Sequence, residues 1–288
     1  MQKKTLYLFL LIIGTAFWGI SFVFVKAGVA EVSPYVFLLY KFFIAAFTLL
    51  LVFYSQLKYI NSSTIITGVV LGIPLFAGTL LQSVGLQYTS VSNSAFITGL
   101  DVLLIPIFKS LLHRKQLPVK IWFSCIMAFG GLSIIAVKLP LRMGIGDVYT
   151  IACAFGFAAY VILAGRFAGR QYPILAVIVA MFFCAFGSLL ISLLTTHSAL
   201  IPSGYSFWQG VMFTGLLATA YMYAVQNYGQ RYLSEEKVAI TYLFEPIFAS
   251  IASVLLLHET ISLKTYIGGF FIILAMFTAE ATFTVRKR

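Results

Sequence analysis

The sequence predicts an all-α integral membrane protein of ten transmembrane helices, arranged as two inverted five-helix repeats. Three observations carry that prediction. First, 61% of the 288 residues are apolar and only 9% are charged, with a mean hydropathy of +1.01. A soluble domain carries roughly 25% charge because water must wet its surface, and 19 Lys and Arg with 8 Asp and Glu cannot cover a globule of this size. Second, ten apolar runs have the roughly 20 residues that a hydrocarbon core of about 30 Å requires. Third, the chain resembles itself at a nearly constant spacing.

The first run, 5–25, follows Lys3-Lys4 and carries Trp18 and Phe22. It lacks a small-x-small cleavage pattern and nine more runs follow, which favours a retained helix over a signal peptide. Ser33-Pro34 opens the second run, 34–54, which holds Lys41. The third, 64–84, carries Gln82 and Gly68-x-x-x-Gly72, a spacing that permits close helix crossing. Gly165-x-x-x-Gly169 has the same spacing but straddles a helix end. In the fourth, 91–112, Ser94, Thr98 and Asp101 stand at i, i+4 and i+7, one polar stripe. Leu117-Pro118 precedes the fifth, 119–137, where Trp122 reads as an interface anchor.

The sixth run, 147–165, contains Tyr160, and Tyr172-Pro173 opens the seventh, 173–194. Ile201-Pro202-Ser203-Gly204 separates it from the eighth, 207–227, where Trp208 is a second anchor and Thr219, Tyr223 and Gln226 share a face. In the ninth, 236–257, Tyr242 and Glu245 share a face at i, i+3. Glu245 precedes Pro246, which has no N–H and frees the carbonyl near Tyr242. The tenth run is 264–284, and no stretch remains for a soluble domain. Cys125, Cys153 and Cys184 lie inside apolar runs and read as small core hydrophobes.

Orientation follows the basic residues, which concentrate on the cytoplasmic side of membrane proteins. With the N-terminus inside, fourteen of them fall in cytoplasmic ends and loops, Arg286-Lys287-Arg288 included. Lys26, Lys138, Arg142 and Lys264 fall outside, and Lys41 lies within a span. Both termini are expected in the cytoplasm, and the membrane is expected to be the cytoplasmic (inner) one. The net charge of +11 is thus a topology signal rather than a nucleic-acid footprint.

The self-similarity places Gly85-Leu-Gln-Tyr88-Thr-Ser90 and Ala95 on Gly229-Gln-Arg-Tyr232-Leu-Ser234 and Ala239, an offset of 144. The same offset puts Asp101 on Glu245 and Lys120 on Lys264. The first and sixth runs match more loosely near 139, aligning Trp18-Gly19 with Phe157-Ala158. Five helices per copy is an odd number, so the second copy enters the membrane the opposite way up.

These residues carry a resemblance. Trp18-Gly19-x-x-Phe22, a basic Lys41 early in the second run, the Gly-x-x-Tyr-Thr-Ser turn at 85–90 and the Glu245-Pro246…Glu259 segment resemble the EamA-type transporters of the drug/metabolite transporter superfamily. The resemblance covers nearly the whole chain and implies the ten-helix plan, with repeats at 1–143 and 144–288. It also implies export of a metabolite, an amino acid or an amphipathic drug. Two positions depart from the family pattern: Lys41 stands where relatives usually have Arg, and His113-Arg114-Lys115 where they often have Gly-Glu.

An ionised side chain at the bilayer centre costs about 2.5–3.5 kcal/mol on insertion scales, so it survives where it faces a cavity, a partner or a function. The candidate substrate-binding residues are Trp18, Phe22, Lys41, Gln82, Thr98, Asp101, Tyr160, Tyr223, Gln226, Tyr242 and Glu245. Asp101 and Glu245 are also the candidates for proton coupling. Alternatives stay open. Asp101 and Lys41 can form a packing ion pair, Lys41 can snorkel outward, Glu245 can satisfy the broken helix, and Trp18 can be packing alone. The tyrosines, each with an apolar ring and a hydroxyl, suit an amphipathic organic solute better than a bare ion. No phosphate-binding loop is present, so ATP does not drive the protein directly and no ATPase subunit is implied. His113, His197 and His258 lie far apart at helix ends; neither a metal nor a cofactor nor a catalytic cluster is expected. The expected partners are a small-molecule substrate and membrane lipid, with no enzymatic activity; a lipid-interacting or scaffold protein is the alternative.

Overall fold

In the computed structural model, residues 2–89, 91–113, 117–136, 144–195, 200–257 and 263–280 are described. Ser90, Arg114, Lys115, Lys138, Arg142, His197, His258, Glu259 and Arg286 to Arg288 lie outside them. The regular structure among the described residues is helical throughout.

Helix α1 (Gln2–Glu31) is followed after two residues by α2 (Pro34–Val52). Ser33 caps α2 by accepting from the Val36 N–H at 3.3 Å, and Pro34 occupies a first-turn position whose N–H has no helical partner anyway. A 3-10 turn (Tyr54–Tyr59) leads to α3 (Ser62–Tyr88), where Asn61 Oδ1 accepts from Thr64 N at 2.9 Å. Further along come α6 (Val119–Ala136), α7 (Ile145–Phe167), α8 (Pro173–Thr195) and α13 (Leu263–Glu280). Helices α1, α2, α3, α7 and α8 are long and apolar enough to cross a membrane, and α6 and α13 contain shorter apolar stretches.

Where the sequence predicts continuous fourth and eighth helices and a ninth broken at Pro246, the structure interrupts all three. The fourth is α4 (Val91–Thr98) and α5 (Asp101–His113), divided at Gly99-Leu100. There the ladder tightens, Leu100 N bonding Ile97 O at 3.1 Å and Val102 N bonding Gly99 O at 3.2 Å. Gly99 weakens the helix by about 1 kcal/mol relative to Ala. The ninth is α11 (Glu235–Tyr242) and α12 (Glu245–Leu257), divided at Leu243-Phe244. Pro246 cannot donate to the Tyr242 carbonyl, and its ring crowds that group. The eighth is α9 (Tyr205–Phe213), a π-helical stretch Thr214–Tyr221 and α10 (Met222–Gly229). Thr214 Oγ1 back-bonds to Gly210 O at 2.8 Å, a contact that bends helices.

The packing has a regular plan. Helix α3 lies on α7 and α8, while α1 lies along the α9–π–α10 rod; α4 and α5 pack on α7, as α11 and α12 pack on α1; α2 meets α8, and α6 meets α13. Close approach is built with glycine. A Cβ on Gly156 would sit 2.9 Å from Gly78 Cα and N and from Pro74 O, so α3 and α7 touch backbone to backbone. Gly72 faces Phe183, and Gly68 faces Ala176 O at 2.8 Å, so the first small-residue motif forms the α3–α8 crossing. The second forms no such crossing: Gly165 faces the Glu235 side chain and Gly169 faces open space. Large apolar side chains such as Leu51, Ile66, Phe123, Phe186, Leu193 and Phe270 are exposed on the outside of the bundle, where lipid rather than water is the fitting solvent.

Candidate functional site

The helix breaks and the π stretch converge on one cavity enclosing about 860 Å³ of empty space, its mouth included. All eleven residues singled out in the sequence line it. Helix α1 contributes Trp18 and Phe22, α2 Lys41, and α3 Gln82. The first broken helix gives Thr98 and Asp101, on either side of its break, and α7 gives Tyr160. Tyr223 and Gln226 come from α10, and Tyr242 and Glu245 flank the second break. Each carboxylate is thus the first residue of a half-helix, where the peptide dipoles favour negative charge.

The aromatic wall is ordered by contacts of its own. Trp18 Nε1 donates to the Ala218 carbonyl at 2.5 Å, inside the π stretch. That bond fixes its ring 4.8 Å from Tyr242 and 6.0 Å from Tyr223, both edge-on. Tyr223 in turn meets Tyr160 at 5.2 Å, and the Tyr160 hydroxyl accepts from Asn227 Nδ2 at 2.9 Å. Gln82 Nε2 donates to Thr98 Oγ1 at 3.2 Å, which joins α3 to α4.

Other polar groups in the wall are left without partners. The Tyr242 hydroxyl and Gln226 Oε1 are buried and accept or donate no hydrogen bond. Among the described residues Lys41 forms no ion pair, so the predicted alternative of a packing pair with Asp101 is not what the structure has. Lys41 instead lines the cavity, with Nζ 5.5 Å from the Phe42 ring, and does not snorkel outward. Unpartnered buried polar atoms cost about 1–3 kcal/mol each. Two of them, on Gln226 and Tyr242, lie in residues that line the cavity, where a polar molecule could complete them.

Two sequence expectations change. Ser94 and Thr219, drawn as part of polar stripes on continuous helices, are fully buried with unpartnered hydroxyls and do not line the cavity. The π stretch shifts Thr219 out of register with Tyr223 and Gln226, whereas Ser94 shares the unbroken α4 with Thr98 and lies one turn before it, outside the lining. Conversely, Ser21, Thr79 and Phe157 line the cavity unannounced. Phe157 was within reach of the sequence, because the repeat aligns it with Trp18. Ser21 and Thr79 hide their polarity by bonding Trp18 O and Leu75 O, each at 2.8 Å.

The lining residues also pair by position. Thr79 and Tyr223, Gln82 and Gln226, Thr98 and Tyr242, and Asp101 and Glu245 are each 144 residues apart. Trp18 and Phe157, Ser21 and Tyr160, and Phe22 and Val161 are each 139 apart. Among the described residues no group of three or more His, Cys, Asp or Glu side chains could hold a metal ion.

A lipid-facing helical bundle around a polar, aromatic cavity defines a multi-pass membrane protein of the transport type. The sequence matches the EamA-like transporter family over residues 5–137 and again over 144–279, and the chain belongs to that family. It is 28% identical over 259 residues to an uncharacterized transporter of Archaeoglobus fulgidus, covering 90% of this chain and 80% of that one. It is 25% identical to the uncharacterized transporter YyaM of Bacillus subtilis, covering 99% of this chain and 97% of the relative. A solved crystal structure 18% identical to it has the same fold, with a TM-score of 0.78 over 97% of each chain.

Proposed function

We propose that the protein is a secondary transporter that exports small organic metabolites, such as amino acids or amphipathic drugs, by alternating access. In this reading ten transmembrane helices form two inverted five-helix repeats, 1–143 and 144–288, in the cytoplasmic membrane with both termini in the cytoplasm. The substrate occupies the central cavity, and Asp101 and Glu245 exchange protons as the cavity opens to either side. Inverted-repeat transporters hold substrate near the midplane, between repeats and beside discontinuous helices.

The observation that carries the reading is the cavity lining. Most of its residues fall in pairs 144 or 139 positions apart, with the two carboxylates as one such pair at equivalent helix breaks. A pseudo-two-fold axis through the cavity accounts for that pairing. It also accounts for the packing plan, in which exchanging the halves carries α3–α7 onto the eighth helix and α1. The two successive family matches support the same division.

The test is flux. Purified protein in proteoliposomes is offered a panel of labelled amino acids and cationic amphiphiles, under counterflow and under an imposed pH gradient. Saturable counterflow of at least one solute is expected, with loss of flux on Trp18→Ala. Redistribution of labelled lipid without flux of any solute would replace this reading with the lipid-interacting one.

A further inference from the structure

The cavity is symmetric in its centre and asymmetric at its ends. Toward one face it is lined as far as Val25, Leu86 and Ala95, about 10 Å along α1 and α3 beyond Trp18 and Thr79 at 1.5 Å per residue. The repeat equivalents of those three, Ala164, Gln230 and Ala239, do not line it, although all six residues are buried. On that second face α7 lines the cavity only as far as Val161 and α10 only as far as Gln226. The cavity therefore stops short of the face that carries residues 164, 230 and 239.

What lies across that face is a charge cluster. Lys109 Nζ on α5 stands 2.5 Å from Glu235 Oε2 and 2.9 Å from Glu236 Oε1, both in the first turn of α11. The Glu235 contact is a hydrogen bond, whereas Glu236 Oε1 makes an ion pair without hydrogen-bond geometry. The Glu236 side chain is 3% exposed, so water screens this pair weakly. Gly165 leaves room for the cluster, since a Cβ there would overlap the Glu235 carboxylate. Lys109 lies on the first half of the chain and both glutamates on the second. Their repeat equivalents, positions 253, 91 and 92, are Ser, Val and Ser, so the repeat does not reproduce the cluster at those positions. Each bridged half-helix ends at a break, α5 at Gly99-Leu100 and α11 at Leu243-Phe244.

We infer that Lys109, Glu235 and Glu236 form a one-sided latch that closes the cavity by holding α5 against α11, and that the two breaks are the hinges about which this face opens. The inference rests on the transporter reading for its purpose, and on geometry alone for its existence. Releasing the latch leaves a partly desolvated charge uncompensated, which favours the closed state until both ends are hydrated or re-paired. With the N-terminus in the cytoplasm, the latched face is the cytoplasmic one.

The experiment reads accessibility and needs no substrate. Cys125, Cys153 and Cys184, all buried, are replaced by Ala, and single reporters Ala164→Cys and Val25→Cys are introduced. A membrane-impermeant maleimide is applied to right-side-out and inside-out vesicles. With the latch intact, Val25→Cys reacts and Ala164→Cys is protected. Lys109→Gln is expected to raise labelling of Ala164→Cys about tenfold, from the face carrying Lys109 only. Lys109→Arg keeps the charge and the protection. Unchanged labelling in Lys109→Gln, an equal rise in Lys109→Arg, or an unreactive Val25→Cys each overturn the latch. If Lys109→Gln does not accumulate, Glu236→Gln is read in the same assay with the same two outcomes. A failed latch leaves the flux experiment standing, and absent flux leaves the labelling result standing.

Discussion

Tyr242 separates a binding group from a packing group with a single oxygen atom. The residue is 7% exposed, its ring packs edge-on against Trp18 at 4.8 Å, and its hydroxyl has no hydrogen-bond partner. Tyr242→Phe keeps the ring contact and deletes only the unpaired group. Burying such a hydroxyl costs about 1–3 kcal/mol, so its removal should leave the fold unharmed or more stable by about 1 kcal/mol. In a chain of this size that is a rise of about 2 °C in thermal unfolding in detergent. If the hydroxyl is held unpaired for a substrate, the same change weakens binding by about 1 kcal/mol or more, roughly a fivefold rise in half-saturation for counterflow. Stability and affinity thus move in opposite directions. A fall in unfolding temperature with unchanged half-saturation would refute the reasoning and make the hydroxyl a structural group.

Three further outcomes are expected. Gly156→Ala gains helix propensity yet places a Cβ 2.9 Å from backbone atoms of Gly78, so it should destabilise by about 1–3 kcal/mol; Gly130→Ala, with nothing within 4 Å, should instead stabilise by about 0.5–1 kcal/mol, both read by thermal unfolding. Glu245→Gln removes titration but keeps shape, and should abolish pH-gradient-driven accumulation while sparing exchange; if it and Asp101→Asn both retain full accumulation, these carboxylates are not proton sites. A reporter fused after Arg288 should signal cytoplasm and one in the 195–206 loop the outside, and reversed signals would overturn the orientation and the side assigned to the latch.

The candidate site was more legible in the sequence than the elements that build it. Charged and amide side chains inside apolar runs are costly, so Lys41, Gln82, Asp101, Gln226 and Glu245 marked themselves without any knowledge of packing. Local faces were less reliable. Ser94 and Thr219 satisfy the helical spacing of their neighbours, but the π stretch takes Thr219 out of that register, and the cavity does not reach the turn of α4 that carries Ser94. Ser21 and Thr79 escaped notice because a hydroxyl that bonds its own helix looks like any other small residue from outside. The choice among readings of Lys41 also needed coordinates, since a lysine part-way along a helix reaches either lipid headgroups or the interior with the same four-carbon stem.

The sequence by itself determined the solvent, the helical class and the internal repeat, because these follow from composition, run length and the spacing of a few polar residues. It also determined which side chains are expensive enough to require a reason. Only the tertiary structure decided that those side chains meet around one cavity, and that the fourth helix breaks beside its carboxylate as the ninth does beside Pro246. Only it decided that Lys109 of the first half closes on Glu235 and Glu236 of the second. The reason is physical. Burial cost is a property of each residue and is written in its identity, whereas a pairing between residues 126 positions apart depends on how helices cross, and helix crossings are set by the glycines and side chains of both partners at once.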